Sequence, residues 1–513
     1  MKEYSIERSL DGATVLLTGV TGFVGGALLE RMLRLDPGPE KIFVIVRPKR
    51  GIEPQSRLKS FLRSPLFGSV KSKSLEKIVV IPGDITSEGL ELSDQNRNLL
   101  TSTCTHVFHS AALISFAAKL EFAVKINLLG TRYVLQLAKR MTNLRSMIHV
   151  STAYVNCTRN SDEYLEERIY PSRFDPTEFT DMIERMSEEE INSRSEEFLG
   201  DHSNAYTFTK NMAENLLQAE RGKISLSIIR PSIVLNSWKK PVSGWIDNVK
   251  NGACGFIAGA ARGIFRTFEA DPDARLDIIP VDMVVSTILT ASAHATENPG
   301  GLTIYHCTSS IENSTSWSEY CTEIVKYSRK HPCNLVAWYP GARPRKNRFR
   351  NLAIFYMFHL FPAYVFHFFY QFRRPGRRHV LLAVQQKFAK ADAYTRFFAI
   401  RQWSFSRRNT VTLEKGLASH ERESHPMDPN EIKWNEYFEI CVLGLRQYFH
   451  KEGATTSERA RRRMTGLKII AAVAPFLTFL FYWHLLLSYF PDLFDVLAAA
   501  CVAGLLVSFL KWI

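Results

Sequence analysis

A tyrosine and a lysine four positions apart offer the clearest chemistry in this chain. Tyr206-Thr-Phe-Thr-Lys210 lies in a helical pattern, and residues i and i+4 of a helix share one face. A neighbouring ammonium lowers the pKa of a phenol from its usual value of about 10. The phenol can then give a proton to an oxygen that gains negative charge as a hydride arrives. The spacing therefore predicts Tyr206 and Lys210 as catalytic residues, with Lys210 also holding the ribose of a nicotinamide.

Two hydroxyl residues are candidates to bind the same substrate oxygen. Ser151 and Thr152 directly follow the apolar run Met147–Val150, which predicts a strand. A hydroxyl at the end of this strand can donate a hydrogen bond to the oxygen that Tyr206 protonates. Thr152 is the preferred third catalytic residue, and Ser151 is its alternative.

A glycine-rich turn near the start of the chain predicts where a cofactor binds. Thr18-Gly-Val-Thr-Gly-Phe-Val-Gly25 follows the apolar run Thr14–Leu17 and precedes a helical pattern. A strand, a glycine turn and a helix form the arrangement that holds a dinucleotide pyrophosphate at the helix N-terminus. The first glycine is expected to make the tight turn, the second to admit the phosphates and the third to let the helix pack closely. The residues predicted to bind the cofactor here are Gly19, Thr21, Gly22, Phe23, Val24 and Gly25.

Residues that follow the later strands narrow the identity of the cofactor. Arg47 follows the second predicted strand, where an acidic residue usually holds the ribose 2′-hydroxyl, so an arginine favours the 2′-phosphate of NADP(H). Asp84, after the third strand, is expected to accept a hydrogen bond from the adenine amino group. Ala111, after the fourth, is small enough for the cofactor to lie against the backbone. Pro231 and Ser232, after the sixth, are expected to pass under the nicotinamide.

The elements that must position these residues alternate between strand and helix. Helical patterns separate six apolar runs that predict strands, namely Thr14–Leu17, Lys41–Val46, Lys77–Ile81, Thr105–His109, Met147–Val150 and Ser225–Ile229. This alternation predicts an α/β fold built on a Rossmann-type doubly wound parallel sheet. Ligands bind at the carboxyl ends of the strands of such a sheet, which is where the candidate residues lie.

A chain of 513 residues is too long for one compact domain of ordinary size. An acid-rich insert, residues 159–203, separates Thr152 from Tyr206 and is either a lid or a solvated excursion. The expected units are an NADP-binding Rossmann domain (1–240), a small mixed substrate-binding cap with parts returning to the Rossmann core (241–330), a helical C-terminal domain (331–455) and a transmembrane anchor (466–513).

The distribution of charge and apolar residues favours a membrane surface over nucleic acid as partner. The net charge is +14, and arginine-rich stretches alternate with long apolar runs. The run Ile469–Phe490 is long enough to cross a bilayer, and the basic segment 459–468 before it places the catalytic part in the cytosol. With the following run, Leu493–Leu510, it forms either a hairpin of two spans or one span and an interfacial helix.

Another apolar run, Asn351–Phe372, contains no charged residue and has arginine-rich flanks. A third span is one interpretation. The many aromatic residues, two histidines and the central Pro362 favour a membrane-dipping or acyl-binding helix instead. The eight cysteines are scattered singly, without a CxxC pair, which indicates reduced thiols in a cytosolic environment and no metal cluster.

Taken together, these motifs resemble those of extended short-chain dehydrogenase/reductases, and within them the alcohol-forming fatty acyl-CoA reductases. The resemblance covers nearly the whole chain and includes a C-terminal segment that sugar epimerases of the superfamily lack. Besides the glycine loop and the Tyr206–Lys210 pair, it rests on His149–Tyr154, Arg230–Ser232, Gly244–Asn248, Ile279–Asp282, Trp434–Tyr437 and Val442–Gly444.

The resemblance implies NADPH-dependent reduction of a long-chain acyl-CoA to a fatty alcohol, with release of CoA, by two hydride transfers through an aldehyde. Tyr206 and Thr152 would polarise the same oxygen in both steps, while Lys210 holds the cofactor. The expected partners are the acyl-CoA and membrane lipid, and the product would feed ether lipid or wax synthesis. Similarity to animal members favours the peroxisome, with the endoplasmic reticulum as the alternative.

Two other functions fit parts of the sequence. A membrane-anchored hydroxysteroid-type dehydrogenase would share the glycine loop, the tyrosine and the lysine, but it would not explain Gly244–Asn248 or the C-terminal segment. A nucleotide-binding scaffold without turnover has no need of Tyr206, Lys210 and Thr152 together.

Overall fold

Seven strands form one parallel sheet at the centre of the computed structural model, which describes residues 3–159, 163–247, 252–373, 380–453 and 455–489. The strands are β1 (Thr14–Thr18), β2 (Lys41–Val46), β3 (Ile78–Pro82), β4 (His106–His109), β5 (Ser146–Val150), β6 (Leu226–Pro231) and β7 (Leu302–Cys307). Their order is β7-β6-β5-β4-β1-β2-β3, and every neighbouring pair is parallel. The predicted α/β fold is confirmed.

The helices that position the site are labelled in chain order as α1 (Phe23–Leu33), α2 (Gly130–Lys139), α3 (Ala205–Glu220), α4 (Val281–Glu297), α5 (Phe361–Arg373), α6 (Val380–Ala399), α7 (Trp434–Gly444) and α8 (Glu458–Tyr489). Alternate residues of a strand face opposite sides of the sheet. In β1, Val15 and Leu17 pack with α1 and α4, whereas Leu16 packs with α2 and α3. Helices therefore cover both faces, as a doubly wound sheet requires.

The six predicted strands are all present, with ends shifted by no more than two residues. The sequence did not predict β7, which pairs with β6 at the edge of the sheet. Because α4 packs on the sheet as well, much of the segment assigned to a substrate cap belongs to the Rossmann core.

Shorter elements connect these parts. The other α-helices are Ile6–Leu10, Pro54–Leu62, Ser72–Leu75, Asp94–Thr103, Leu120–Ala123, Pro176–Arg185, Glu188–Ser193, Ser195–Leu199, Gly252–Ala261, Trp317–Lys330, Arg348–Phe355, Arg408–Gly416 and Ser419–Arg422. Short 3₁₀ turns are Pro65–Phe67, Glu88–Glu91, Ala153–Asn156 and Pro429–Glu431, and π-helical turns are Val124–Leu129, Tyr356–Leu360 and Leu445–Phe449. Two-stranded pairings join Tyr164–Leu165 to Ser404–Phe405, Ile233–Leu235 to Ile278–Pro280, Thr267–Glu269 to Arg343–Arg345 and Arg275–Leu276 to Thr315–Ser316.

The acid-rich insert is a packed layer beside α3. Phe179 and Phe198 are buried and form an aromatic cluster, in which Phe179 lies 5.6 Å from Phe208 of α3. At its edge, Arg132 of α2 pairs with Asp181 at 2.5 Å. The insert is therefore fixed to the Rossmann core by aromatic packing and ion pairs, with most of its acidic side chains turned towards solvent.

The C-terminal helix α7 packs against the segment that follows β6. Gly244 has φ +76°, and a Cβ on Gly444 of α7 would collide with its carbonyl oxygen. The Tyr437 hydroxyl donates to the Asn236 carbonyl at 2.6 Å. Two segments that carried the family resemblance thus touch each other, although Asn248 lies outside the described residues.

A buried ion pair joins α3 to β6. The Arg230 guanidinium lies 2.5 Å from the Glu214 carboxylate, and the two side chains are 0% and 2% exposed. Arg230 also donates to the carbonyl of Arg168 at 3.0 Å and lies 3.2 Å from His306 Nε2 of β7. The Glu214 carboxylate thus compensates the positive charge of Arg230, and the other partners hydrogen-bond its N–H groups. A buried cation requires both.

Removing the acidic partner is expected to destabilise the fold strongly. Glu214→Ala leaves Arg230 charged without its counterion, and breaking such a buried pair costs about 3–5 kcal/mol. Glu323→Ala, which breaks a surface pair with Lys326, is the matched control and should stay close to wild type. Denaturant unfolding followed by circular dichroism measures both. Equal small effects of the two substitutions would contradict the importance of the buried pair.

Candidate active site

The glycine loop lies against the loop that follows β4. Gly19 has φ +75°, and a Cβ there would lie 2.5 Å from the Ala111 backbone nitrogen. A Cβ on Gly25 would collide with the Gly19 carbonyl oxygen. The helix α1 begins after Gly22, and no side chain caps its first N–H groups. These donors remain available to an anion at a helix N-terminus, which fits a dinucleotide pyrophosphate.

The other loop residues differ in what they can offer a cofactor. Phe23 is buried, and its ring stacks on Trp245 with centroids 5.1 Å apart, so it has only its backbone to offer. Thr21 and Val24 are partly buried beside the exposed Gly22. Their backbone groups and the Thr21 hydroxyl therefore stay at the surface of the loop where a phosphate would lie.

Two arginines gather at the end of β2. The Arg47 guanidinium is about half exposed and lies 3.5 Å from Asp84, whose other oxygen accepts hydrogen bonds from Thr86 at 2.9 and 3.0 Å. The Arg57 guanidinium donates to the Arg47 carbonyl. Burial and the Arg47 charge lower the pKa of Arg57, because both disfavour a second positive charge here. Two neighbouring cations also favour the binding of an anion. The sequence analysis did not find Arg57. Its assignment of Asp84 to the adenine stays a prediction, and in this structure Asp84 lies beside Arg47.

Neutralising the arginine pair is expected to change the coenzyme preference. Arg47→Ala and Arg57→Ala should each raise the KM for NADPH by roughly 10- to 100-fold, because a hydrogen bond to a charged group contributes about 1.5–3 kcal/mol. The KM for NADH should stay within about twofold of wild type. Arg63→Ala, which removes an exposed arginine just after the Pro54–Leu62 helix, is the control. Parallel changes for both coenzymes would contradict a role in binding the 2′-phosphate.

Tyr206 and Thr152 meet at the carboxyl edge of the sheet. The helix α3 begins at Ala205, with the Asn204 side chain accepting the Thr207 N–H at 3.0 Å, so Tyr206 lies in its first turn. A hydrogen bond with the Thr152 side chain favours the ionised phenol, but burial prevails and raises the pKa of Tyr206 to about 12. The expected lowering by Lys210 is therefore wrong for this arrangement. Tyr206 keeps its proton at neutral pH, as a proton donor must.

Of the two hydroxyl candidates, Thr152 is the one that contacts Tyr206. Its oxygen also accepts the Tyr154 N–H at 3.3 Å. The Ser151 N–H donates to the Ile229 carbonyl at 2.7 Å, and its hydroxyl is buried without a partner among the described residues. This geometry favours Thr152 for the third catalytic role.

Lys210 is buried next to the end of β5. Its Nζ donates to the Val150 carbonyl at 2.6 Å. Burial lowers the pKa of Lys210 to about 8, and the charge of Glu214 one turn later opposes this shift. Burial also lowers the pKa of His109 to about 3 and that of His149 well below its usual range. Both imidazoles are therefore neutral, and Lys210 is the cation of this group.

The shifted pKa of Lys210 predicts an alkaline loss of activity. As pH rises through about 8, Lys210 loses the charge that is expected to hold the ribose of the cofactor. We expect kcat/KM to fall between about pH 8 and pH 10. The Lys210→Arg variant stays charged in this range and should lack the falling limb, although its overall rate is lower. A flat wild-type profile, or the same limb in Lys210→Arg, would contradict this assignment.

The segment after β6 is fixed from the side of β7. Pro231 ends the strand, and the Ser232 N–H donates to the Cys307 carbonyl at 3.0 Å. Both residues are buried. They lie at the same edge of the parallel sheet as Ser151 and Thr152, because β5 and β6 are neighbours.

Asn127 is a positioning residue that the sequence analysis missed. It lies in a π-helical turn, Val124–Leu129, a feature that often marks functional sites. Its side chain accepts the Leu113 N–H at 2.8 Å and donates to the Leu113 carbonyl at 3.1 Å and to the Thr209 hydroxyl at 3.0 Å. Asn127 thus ties the loop after β4 to α3 between Tyr206 and Lys210. The signal in the sequence was a single amide within an apolar helical pattern.

Aromatic rings form a wall beside Tyr206. The Phe116 ring lies 5.9 Å from that of Tyr206 and 5.1 Å from that of Phe398. The centroid of the Tyr154 ring lies 5.4 Å from that of Phe398 and 5.6 Å from that of Trp403. Phe398 and Trp403 come from α6 and the segment after it, so the C-terminal region supplies an apolar boundary of the site.

Comparisons with known proteins identify the family to which this chain belongs. Residues 17–288 match an NAD-binding model described as male sterility protein, and residues 358–452 match a second model of the same description. Fatty acyl-CoA reductase 1 of Gallus gallus is 33% identical over 474 residues, which cover 91% of this chain and 90% of the relative. This chain belongs to the fatty acyl-CoA reductase family. The Homo sapiens reductase of the same name is 32% identical over the same shares, and the predicted resemblance is confirmed.

Solved structures share the fold of this family member. The terminal R domain of the myxalamid biosynthetic pathway superimposes with a TM-score of 0.57 at 20% identity, covering 86% of this chain and 92% of that domain. A reductase domain of a non-ribosomal peptide synthetase from Mycobacterium tuberculosis gives 0.55 at 19% identity, covering 86% and 94%.

Proposed function

We propose that this protein reduces long-chain acyl-CoA to fatty alcohol with NADPH and releases CoA. The observation that carries the proposal is the placement of Tyr206 next to Thr152, with the buried Lys210 bound to the Val150 carbonyl at the end of the same strand and an aromatic wall beside Tyr206. Family membership supplies the class of substrate, since the relatives are named for fatty acyl-CoA. A hydroxysteroid-type dehydrogenase finds no such support.

The residues present fit a bound NADPH. Uncapped N–H groups at the start of α1 suit the pyrophosphate. The backbones at Gly19 and Ala111 lie so close together that no side chain fits between them, so a cofactor would lie against backbone atoms there. Arg47 and Arg57 suit the 2′-phosphate. When bound there, NADPH supplies the hydride for each reduction.

The protein's own groups act on the substrate oxygen. Tyr206, protonated at neutral pH, transfers its proton to the carbonyl oxygen that becomes an alkoxide, and the Thr152 hydroxyl donates a second hydrogen bond to that oxygen. The resulting thiohemiacetal breaks its C–S bond, so CoA leaves as the thiol and an aldehyde remains. Reprotonated Tyr206 repeats the transfer on the aldehyde oxygen. Lys210 holds the nicotinamide ribose, and the aromatic wall around Phe116 and Phe398 excludes water.

We further propose that α8 anchors the enzyme with its catalytic part in the cytosol. The helix starts with basic residues, and from Ile469 onward it exposes apolar side chains such as Phe476 and Leu477. An acyl chain dissolved in a bilayer is best reached by an enzyme held at its surface. The run Leu493–Leu510 lies outside the described residues. Whether the anchor is a single span or a hairpin of two therefore stays a prediction. The peroxisome, with a role in ether lipid or wax synthesis, is the proposed site, and the endoplasmic reticulum is the alternative.

The reaction is tested by NADPH oxidation with palmitoyl-CoA in detergent, with thiol release and fatty alcohol measured together. Wild type should form CoA and alcohol. Tyr206→Phe should lose at least about 100-fold in rate, because positioned acid catalysis contributes 10²–10⁴-fold, while NADPH binding is retained. Tyr164→Phe is the matched control, since Tyr164 is an exposed residue of a short strand.

Two outcomes would contradict different parts of the proposal. A protein that binds NADPH but releases neither CoA nor alcohol at any chain length would be a nucleotide-binding scaffold. Alcohol formation by Tyr206→Phe at the wild-type rate would leave the activity in place and refute only the role of Tyr206.

A further inference from the structure

A continuous helical segment, residues 348–373, exposes a broad aromatic face. It comprises the Arg348–Phe355 helix, a π-helical turn and α5. By length and composition, Arg348–Phe372 is a helical segment that meets the requirements for crossing a membrane. Its most exposed apolar side chains, each at least 60% exposed, are Phe349, Phe366, Phe368, Phe369 and Phe372. Large exposed apolar patches mark interaction or membrane sites rather than ordinary surface.

The opposite face of the same segment is attached to the protein. Asn351, Phe355, His359 and Ala363, spaced by four residues, are all buried. The Asn351 side chain accepts a hydrogen bond from the Thr267 hydroxyl at 2.5 Å. A helix that crosses a bilayer alone would have to break these contacts and place Asn351 and His359 in hydrocarbon. The segment is thus long enough to span, but it lies along the protein with one face free.

Positive charge next to the aromatic face indicates that this face binds lipid. The stretch 343–350 contains five basic residues and no acidic one, and Arg348 and Arg350 are exposed. Basic residues beside aromatic rings are the combination found at the interface of anionic membranes, where the cations meet phosphates and the rings lie at the headgroup level.

The position of the segment agrees with the anchor. Met464, near the start of α8, packs with Cys333 and Val336. From the same stretch of chain, Trp338 lies 5.4 Å from the Arg266 guanidinium, which donates to the Phe358 carbonyl at 2.9 Å. The point where α8 leaves the protein and the middle of the aromatic segment are therefore joined through residues 333–338 and Arg266.

We propose that the 348–373 segment docks on lipid through its aromatic face, in the interface of the membrane that takes α8, without crossing it. This surface is independent of the proposed reaction. The helix α6 follows the segment in the chain and carries Phe398 near its other end. A helix of 20 residues is about 30 Å long, so Phe398 of the aromatic wall lies about one helix length from Val380, the first residue of α6.

The test measures the depth of single positions in the full-length protein. Phe369→Cys is labelled with the fluorophore nitrobenzoxadiazole in a Cys501→Ser background, since the other seven cysteines are buried. The protein is incorporated into phosphatidylcholine–phosphatidylserine vesicles that carry nitroxides at shallow or deep acyl positions. Leu477→Cys on α8 is the inserted control, and Ser102→Cys, exposed on the Asp94–Thr103 helix, is the aqueous control.

Interfacial docking has a distinct signature in this experiment. We expect the shallow nitroxide to quench the label at position 369 at least about twofold more than the deep one, and iodide quenching to fall by about half when vesicles are present. Position 477 should be quenched best by the deep nitroxide, and position 102 by iodide alone. Phe349→Cys provides a second labelling site on the same face, with the same expectation, if Phe369→Cys folds poorly.

Three results would overturn the proposal. Unchanged iodide quenching at positions 349 and 369 on addition of vesicles would mean a solvent-exposed face. Deep quenching equal to that at position 477 would mean a spanning helix. A blue shift that depends on protein concentration but not on lipid nitroxide would mean that a second copy of the chain covers the face. In each case the label on α8 reports anchoring independently, and alcohol formation remains a separate measurement.

Discussion

The buried guanidinium of Arg230 connects the parts of this molecule that must stay in register. It pairs with Glu214 on the helix that carries Tyr206 and Lys210, and it immediately precedes Pro231 and Ser232 at the binding edge. It also donates to the Arg168 carbonyl of the acid-rich insert. A buried cation is costly unless its N–H groups are hydrogen-bonded. Arg230 therefore fixes the positions of the helix that carries Glu214 and of the insert that supplies the Arg168 carbonyl.

The same network reaches the C-terminal region. Arg230 lies 3.2 Å from His306 Nε2, and the other ring nitrogen of His306 lies 2.7 Å from the Ser406 carbonyl. Beside it, the short strand Ser404–Phe405 pairs with Tyr164–Leu165 of the insert. The C-terminal region is thus coupled to the catalytic helix through backbone pairing and buried polar contacts. Its rings Phe398 and Trp403 can therefore form a fixed boundary beside Tyr154.

What the sequence could predict depends on how local each feature is. The Tyr206–Lys210 pair and the glycine loop are set by helical spacing and by a strand–turn–helix order within a few residues, so pattern alone identified them. Five of the seven strands were found to within a residue at each end, and a sixth to within two. The seventh, β7, is as long as β2 but mixes polar and apolar residues, and its pairing with β6 defines it.

Features that depend on folding escaped the sequence analysis. Arg57 is brought to Arg47 by the turn between β2 and the next helix, and Phe398 reaches the site from almost two hundred residues beyond Tyr206. The raised pKa of Tyr206 also depends on folding. The spacing placed Lys210 one helical turn away, but burial decides the sign of the shift, and the extent of burial is a property of the assembled fold.

The contact between Gly19 and Ala111 has a consequence for how the two halves of the site communicate. The loop that begins at Ala111 continues through Leu113, which Asn127 holds, to Phe116 on the aromatic wall. Its first residue touches the loop that faces the phosphates, where even a methyl group would not fit. The proposed coenzyme and acyl sites therefore share this loop as a common wall, and displacement of either loop would be transmitted to the other site. One added carbon at position 19 would disturb both proposed sites at once.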